Sequence, residues 1–338
     1  MRSKNNYSLW DVVKSGMYIS LKKEQMKIIE NDIELFRYNT DAPENKYKFT
    51  IREFLNNVFI NMADKRKFNE DSFIRTRKKG AKGFNIKPRG DVISLMEAAG
   101  LSSKSYSSDC SAYYMQFVDK YFTLSLIDRE KIFYKQLIDE LEDGIQNKYV
   151  FWIKNHKGRH ITVLPYAVKD SDEIHKNYLI GFALKKEKEK DFYIYKNHID
   201  IPLRNILFCR KVTKIDPQKQ IHFNEQSDIV SYDGMKDDIN KRLDADGILY
   251  LSGKLENVVV KLSDNGKEIL LNRTQFRPNY KVNENDDHII SFMATQLQTF
   301  MYFFKFGADA EILEPEAYRK DFLNKYKEAY YKYEKSLT

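Results

Sequence analysis

The chain has 338 residues, of which 42% are hydrophobic, so it can bury substantial cores in two or three domains. Lysine and arginine outnumber the acidic residues by 57 to 49, and a net charge of +8 favours a polyanionic partner. With only Cys110 and Cys209, a disulfide framework is not expected, and a reducing compartment fits. No long apolar run and no leader-like N-terminus occur, so a cytoplasmic protein with no membrane segment is predicted.

The first 66 residues show a strand followed by two helices. Residues 17–21 alternate apolar and more polar side chains, which indicates a half-buried strand. Apolar residues from Met26 to Phe36 then recur at spacings of three and four, as on one face of a helix. A second helix is predicted from Thr50, because Thr50 and Glu53 form a capping-box pattern.

This order resembles the ribbon-helix-helix fold, although the connection between the two helices is longer than the usual tight turn. The resemblance implies a homodimer in which two protomers pair their strands into one ribbon that enters the major groove of duplex DNA. The outward side chains of the strand, and so the possible DNA-reading residues, would be Tyr18, Ser20 and Lys22. Free N–H groups near Thr50 would hold a phosphate.

Residues 67–147 are predicted to form a basic loop and a helical linker. Glycine and proline interrupt the stretch 75–89, which favours a loop that neutralises phosphates by counterion release or serves only as a solvated linker. Residues 92–101 and 113–147 have helical patterns. The basic side chains of the loop are Arg75, Arg77, Lys78, Lys79, Lys82, Lys87 and Arg89.

Short strands dominate residues 148–214, which predicts a small β-barrel. Lys157-Gly158 is typical of a hairpin turn between the first two strands. In residues 215–338 the pattern becomes mixed: a hairpin of strands 257–262 and 268–271 around Asp264-Asn265-Gly266, a helix over 294–306, a strand over 310–313 and a final helix after Pro315.

The segment from Pro165 to Ile206 resembles the core of a WYL domain, an Sm/SH3-like barrel that binds ligands, often single-stranded nucleic acid. The triplet that names the family corresponds to Asn177-Tyr178-Leu179, with asparagine in place of tryptophan, and Arg204 lies one position from the usual arginine. The chain after residue 215 resembles the C-terminal extension of such proteins. The resemblance and location together suggest a ligand groove lined by Lys154, Arg159, Tyr166, Tyr178 and Arg204.

The expected fold class is therefore α+β, in four parts: a ribbon-helix-helix-like domain (1–66), a basic loop and helical linker (67–147), a WYL barrel (148–214) and an α+β extension (215–338). Arginine forks would grip phosphates, and tyrosine rings would stack on unpaired bases.

No catalytic centre is evident. His156 and His160 flank the first hairpin but lack a third metal ligand, so neither a metal nor a cofactor is expected. The acidic clusters at 237–238 and 286–288 are explained by solvation, although a nuclease centre assembled from distant carboxylates stays open. We therefore expect a non-enzymatic protein.

The combination of domains resembles the accessory WYL proteins of type VI-D CRISPR systems, which bind single-stranded RNA and stimulate an RNA-guided RNase. The resemblance implies single-stranded nucleic acid, RNA favoured over DNA, and a CRISPR effector RNase as partners. The alternative is a homodimeric transcription factor that binds duplex operator DNA through its N-terminal domain and a ligand through its barrel.

Overall fold

The computed structural model describes residues 8–14, 16–36, 50–63, 82–171, 175–187, 190–223, 229–274 and 277–337. The fold is α+β, and the described residues form three separate sheets of two, six and four strands. Hydrogen bonds close none of these sheets into a barrel. The fold class is thus confirmed, whereas the closed barrel expected for residues 148–214 is replaced by an open sheet.

The N-terminal region contains the order strand-helix-helix twice. Its elements are α1 (Leu9–Val13), β1 (Met17–Leu21), α2 (Lys23–Phe36), α3 (Ile51–Met62), β2 (Lys82–Ile86), α4 (Gly90–Ala98) and α5 (Ser107–Tyr121). Strands β1 and β2 pair antiparallel, with Met17 opposite Ile86 and Tyr18 opposite Asn85. We call residues 8–121 the ribbon domain.

This pairing corrects the expected ribbon between two protomers, because β1 finds its partner within the same chain. Met17, Ile19 and Leu21 are buried as predicted, and Ile86 of β2 joins them in the core. The apolar face of the ribbon therefore needs no second copy. The prediction of a loop over 75–89 is wrong at residues 82–86, which pairing with β1 turns into a strand.

Aromatic side chains fill the core of the ribbon domain. Phe59 of α3 stacks on Tyr114 of α5 with ring centroids 4.9 Å apart, and Phe54 meets Tyr121 edge to face at 5.8 Å. The buried Tyr114 hydroxyl donates to Asn56 Oδ1 at 3.1 Å, which satisfies a polar group inside the core. Much of the aromatic richness of the sequence is thus used in packing.

The middle of the chain builds the six-stranded sheet and the helices that cover it. Its elements are α6 (Leu126–Phe133), α7 (Lys135–Asn147), β3 (Tyr149–Asn155), β4 (His160–Ser171), β5 (Lys176–Lys186), β6 (Tyr193–Pro202), a 3-10 turn (Leu203–Asn205), β7 (Ile206–Lys214), α8 (Pro217–Gln220), β8 (Ile221–His222) and α9 (Tyr232–Asp246). The strand order is β7-β3-β4-β5-β6-β8, antiparallel except for the parallel pair β6 and β8.

The sheet must curl because β6 and β7, which are separated by three strands in the sheet, are joined by a turn of only three residues. Four interstrand spacings separate these strands in the sheet order, which would be about 19 Å if the sheet were flat. The four peptide steps from Pro202 to Ile206 span at most about 14 Å. The two strands therefore approach each other without forming a hydrogen-bonded pair.

Each face of the curled sheet has its own core. On one face, Phe151, Ile153 and Val163 pack with Leu141 of α7. On the other face, Val150, Leu164 and Phe182 pack with Met235 and Ile239 of α9. Alternation of side chains along β3 and β4 decides which residues enter which core.

The C-terminal region contains the third sheet, in the order β10-β11-β9-β12. Its elements are β9 (Glu256–Leu262), α10 (Asp264–Asn272), β10 (Lys281–Val282), β11 (Ile289–Ala294), α11 (Gln296–Phe303), β12 (Ala310–Glu314) and α12 (Glu316–Leu337). The helix over 294–306, the strand over 310–313 and the last helix are confirmed to within a few residues.

The hairpin predicted around Asp264-Asn265-Gly266 is wrong, because these residues begin helix α10 instead. Ser263 caps the helix, and its Oγ accepts a hydrogen bond from the Gly266 N–H at 3.0 Å. A Cβ at Gly266 would lie 2.2 Å from the carbonyl oxygen of Asp309, so the glycine permits a close approach of backbone. The Asn-Gly pattern, which is typical of hairpin turns, thus lies in the first turn of a helix here.

Candidate nucleic-acid interface

Three neighbouring strands present aromatic and basic side chains on one surface of the sheet. In the register of β7, β3 and β4, Lys154 lies between Phe208 and His160, and Trp152 lies between Arg210 and Thr162. Directly opposed residues of antiparallel strands point to the same face. We call this surface, formed by Trp152, Lys154, His160, Phe208 and Arg210, the aromatic platform.

The rings of the platform are in contact and exposed to solvent. Trp152 and His160 stack with centroids 4.2 Å apart and an interplanar angle of 8°, and Phe208 meets Trp152 edge to face at 5.8 Å. Trp152 is 38% exposed and Phe208 is 45% exposed. Preformed, accessible rings of this kind can stack on unpaired bases with little further ordering.

Trp152 and Lys154 are exposed because the cover on their face of the sheet ends before them. Val150 is two residues before Trp152 and lies on the same face, where α9 and its neighbours bury it completely. Trp152 and Lys154, further along β3, are exposed. The platform is therefore the part of this sheet face that α9 does not cover. It lies near β7, which is an edge strand of the sheet.

Cations surround these rings. Lys154, Arg159 and Arg210 are exposed and form no ion pair with any residue in the described part of the chain. In contrast, the neighbouring Lys211 is bound to Asp143 at 2.5 Å, and this contact raises the pKa of Lys211. Three unneutralised cations beside stacked rings suit a phosphate backbone whose bases are unpaired.

Of the residues predicted for the ligand groove, one belongs to the platform, one adjoins it and a third lies further along β4. Lys154 belongs to the platform itself, and Arg159 adjoins His160 in the hairpin turn. Tyr166 lies further along β4, half-buried, where its hydroxyl donates to Asn240 Oδ1 of α9 at 2.9 Å and its ring packs on Phe182. Tyr166 thus links the sheet to α9.

Tyr178, predicted to stack on bases, lies in the core under α9. Its side chain is 2% exposed and packs with Ile180 and Phe182. Burial, with a contribution from nearby Asp200, raises the pKa of Tyr178 to about 12. The ring has no accessible face in this structure, so Tyr178 cannot stack on a base there.

Arg204, predicted to grip phosphates, is occupied by an internal partner. Its Nε donates to Glu130 Oε1 at 2.8 Å, and its side chain is only 11% exposed. Asn177, at the position where the expected WYL triplet has tryptophan, donates from its backbone N–H and its Nδ2 to the other oxygen of Glu130 at 2.7 and 2.8 Å. Arg204 and Asn177 therefore meet at one buried carboxylate.

The outward face of the ribbon carries the predicted DNA-reading residues. Tyr18 is 52% exposed, Ser20 is half-buried and Lys22 is exposed. The Tyr18 ring lies over Gly83, whose Cβ, if present, would be 1.6 Å from the Tyr18 hydroxyl oxygen. Lys22, the basic member of the three, follows the end of β1 at Leu21.

The predicted phosphate site near Thr50 already holds a carboxylate. Glu53 Oε2 accepts from the Thr50 N–H at 2.8 Å in the predicted capping box. At the corresponding helix α5, Asp109 Oδ2 accepts from the Tyr106 N–H at 2.9 Å. A negative side chain at each helix start opposes the phosphate contact expected there.

The basic segment is described only in part. Arg75, Arg77, Lys78 and Lys79 lie outside the described residues. Lys82 begins strand β2, and Lys87 follows it in an exposed position. Arg89 precedes α4 and is paired with Asp91 at 2.7 Å.

A second polar cluster lies between β6 and α9. The buried His198 contacts the Tyr195 hydroxyl at 3.2 Å and Asp238 Oδ2 at 2.5 Å. Burial lowers the pKa of His198, although Asp238 acts in the opposite direction. Asp200 accepts from the Ser252 N–H at 3.1 Å, and burial raises the pKa of Asp200 to about 7. The His198 contact joins β6 to α9, and the Asp200 contact joins β6 to the segment after α9.

One group of side chains has metal-ligand spacing in the described structure: Asp286, Asp287 and His288. Its members have protein partners, since Asp287 pairs with Lys267 at 2.9 Å and His288 Nδ1 lies 2.9 Å from the Leu262 carbonyl oxygen. The interpretation of this cluster as solvated acidic residues stays a prediction.

Comparisons with known proteins establish the fold. A structure described as "Crystal structure of a CRISPR Cas-related protein" matches 100% of this chain and 98% of its own, with a TM-score of 0.65 and 16% sequence identity. The chain thus shares its full-length fold with a CRISPR Cas-related protein. Proteasome accessory factor B/C of Arthrobacter aurescens matches 80% of this chain and 34% of its own, with a TM-score of 0.29 and 8% identity.

No family model matches the sequence, and no curated protein matches it. Among the helices described, none combines the length and the apolar character needed to span a bilayer.

Sequence reasoning missed four of the five platform residues: Trp152, His160, Phe208 and Arg210. The alternation of β3 was sufficient to place Trp152 and Lys154 on the same face, opposite Phe151 and Ile153, but not to show that this face is exposed there. Phe208 and Arg210 had no comparable signal, because their position beside Trp152 depends on the pairing of β7 with β3 across more than 50 residues of chain.

Proposed function

We propose that this protein is a WYL-type, non-enzymatic regulator that binds single-stranded nucleic acid, with RNA preferred, on the aromatic platform. The observation that carries the proposal is the contact of Trp152 with His160 and Phe208 beside the unpaired cations Lys154 and Arg210. Aromatic faces attract unpaired bases of any sequence, while lysine and arginine neutralise the backbone. The order of the five long strands and the 3-10 turn before β7 suit an Sm/SH3-like unit.

Single strands suit this surface better than duplex DNA. A duplex keeps its bases stacked on one another, so exposed rings gain nothing from it unless the duplex is distorted. The ribbon domain, which would read the duplex, presents carboxylates at both helix starts where phosphates would bind. The transcription-factor alternative therefore lacks its expected phosphate contacts, although Tyr18, Ser20 and Lys22 remain its reading residues.

The biological role we favour is that of an accessory that stimulates a CRISPR RNase. The supports are the resemblance to accessory WYL proteins and the full-length similarity to a protein described as CRISPR Cas-related. In this role the platform would hold target or guide RNA near the effector. A homodimer remains part of the proposal, through surfaces other than strand β1.

The test is fluorescence anisotropy with single-stranded RNA, single-stranded DNA and duplex DNA of matched sequence. Each probe is titrated at several salt concentrations, because three phosphate contacts by Lys154, Arg159 and Arg210 predict a slope of log affinity against log salt of about −2 for a single strand. Tighter binding of single strands at every salt concentration supports the proposal. Preference for the duplex favours the transcription factor, and binding to none of the probes refutes both.

A further inference from the structure

Three consecutive charged residues of helix α6 reach three different parts of the fold. Arg129 contacts α2 in the ribbon domain, Glu130 contacts β5 and the 3-10 turn of the six-stranded sheet, and Lys131 contacts Asp170 of β4. Successive positions on a helix point about 100° apart, so adjacent residues can reach different neighbours. Helix α6 is thus held from both sides.

The contact with the ribbon domain is a buried, two-pronged ion pair. Arg129 Nε and Nη2 donate to the two oxygens of Asp32 at 2.7 and 3.1 Å, and the Tyr121 hydroxyl donates to the same carboxylate at 2.6 Å. The Asp32 side chain is 1% exposed. Such a paired fork fixes both distance and orientation.

The contact with the sheet is equally buried. The Glu130 side chain is 0% exposed and uses both oxygens, one toward Arg204 and the other toward Asn177. The Asn177 Nδ2 also donates to the Ile127 carbonyl of α6 at 3.1 Å. Strand β5 and the 3-10 turn are therefore fastened to the same helix turn.

Arg204 completes the connection to the aromatic platform. Its guanidinium lies 5.9 Å from the centre of the Phe36 ring at the end of α2, so it touches the ribbon domain as well. Two residues further on, β7 begins and carries Phe208 and Arg210 of the platform. Asn205 accepts a hydrogen bond from the His156 N–H at 3.0 Å, which ties this turn to the hairpin of β3 and β4.

Opening of either domain would separate these pairs. Each separation breaks the charge-assisted hydrogen bonds of the pair, including the two that Arg129 donates to Asp32. The ribbon domain and the sheet are thus expected to open together rather than independently, as one cooperative unit.

We infer that helix α6 couples the two domains through the back-to-back pairs Arg129–Asp32 and Glu130–Arg204, so that a single strand bound on the platform stabilises the ribbon domain. This inference rests on the proposed function, since it takes the platform as the binding surface. A ligand that binds only the closed form lowers the population of the open form by a factor of 1 + [L]/Kd, and coupled regions share that factor.

The experiment is hydrogen exchange followed by mass spectrometry, with and without an unstructured oligouridine at about 100 times its Kd. The slowest amides of β3 to β7 are expected to gain protection of up to about 100-fold, and those of α2 and α5 to gain a similar factor. In the double variant Glu130→Gln with Arg204→Gln, which leaves no unpaired charge, the sheet keeps its gain and α2 loses it.

The matched control is Lys131→Ala, which removes an exposed ion pair from the next position of the same helix and is expected to leave the gain in α2 intact. If the first double variant does not fold, Asp32→Asn with Arg129→Gln tests the other half of the connection. Protection confined to the sheet in the wild type, or an α2 gain that survives in the double variant, overturns the inference while the proposed function stands. Absence of oligouridine binding refutes the proposed function itself.

Discussion

Replacing Trp152 by alanine removes the central ring of the aromatic platform. One face of Trp152 is covered by His160, so the ring has one stacking partner inside the protein and one surface for a base. Loss of one base stack costs about 1 to 3 kcal/mol, and the ring also supports His160, so we expect about 2 kcal/mol. Affinity for single-stranded RNA should fall roughly 30-fold at constant salt.

The chain offers a matched control for this experiment. Its other tryptophan, Trp10 of α1, is 43% exposed, close to the 38% of Trp152, and lies in the ribbon domain. Trp10→Ala should leave affinity within about twofold of wild type, since it removes a similar ring outside the platform. In the Trp10→Phe protein Trp152 is the single tryptophan, so quenching of its fluorescence reports base stacking directly.

The measurement is anisotropy with labelled single-stranded RNA, after circular dichroism has shown that each variant is folded. A Trp152→Phe variant should retain part of the affinity, because a smaller ring still stacks. Equal affinities of wild type and Trp152→Ala, or equal losses in the Trp152 and Trp10 variants, would refute the assignment of the platform as the binding surface.

Four further predictions follow from single contacts. Arg210→Gln should reduce the salt slope of RNA binding by about 0.7, measured by anisotropy, and an unchanged slope would remove Arg210 from the phosphate contacts. Because the folded pKa of Asp200 is about 7, above its ordinary 3.8, the free energy of unfolding should fall as pH rises from about 4 to 7. In urea unfolding, Asp200→Asn should abolish this pH dependence and add roughly 2 to 4 kcal/mol of stability at pH 8. The same pH profile in both proteins would exclude Asp200 as the source of the pH dependence. Gly266→Ala should lower the free energy of unfolding by about 1 to 3 kcal/mol, because the added Cβ would meet the Asp309 carbonyl oxygen. Gly90→Ala, with no atom within 4 Å of the added Cβ, should be neutral or stabilising. Equal changes in stability for the two variants would contradict the close approach of backbone at Gly266. Because the ribbon closes within one chain, Tyr18→Cys with Asn85→Cys should form a disulfide within one chain on oxidation, and a disulfide that links two copies on a denaturing gel would indicate a ribbon completed by a second copy.

Local patterns in the sequence were sufficient for most of the elements. Alternation identified the strands from Tyr149 to Val212, and the capping box at Thr50 marked the start of α3. The predictions failed where the same local pattern is compatible with two kinds of secondary structure. The Asp264-Asn265-Gly266 turn became a helix start because Ser263 caps it, and residues 82–86 became a strand because β1 supplies the missing hydrogen bonds.

The sequence likewise predicted some features of the candidate site and not others. The sequence by itself determined that the protein is basic and aromatic, that it contains a run of short strands after residue 148, and that Lys154 and Arg159 lie at the first hairpin. These properties depend on composition and on neighbours within a few residues. They favoured a polyanionic partner, and the resemblance to WYL domains implied that this partner is a nucleic acid.

Only the tertiary structure decided which aromatic and basic residues face solvent. Tyr178 is buried because α9 covers its end of the sheet, and Arg204 is held because Glu130, 74 residues earlier, reaches it through α6. Trp152 is exposed because that cover ends before it, and Phe208 joins it because β7 pairs with β3. Such contacts join distant parts of the chain, and no local pattern encodes them.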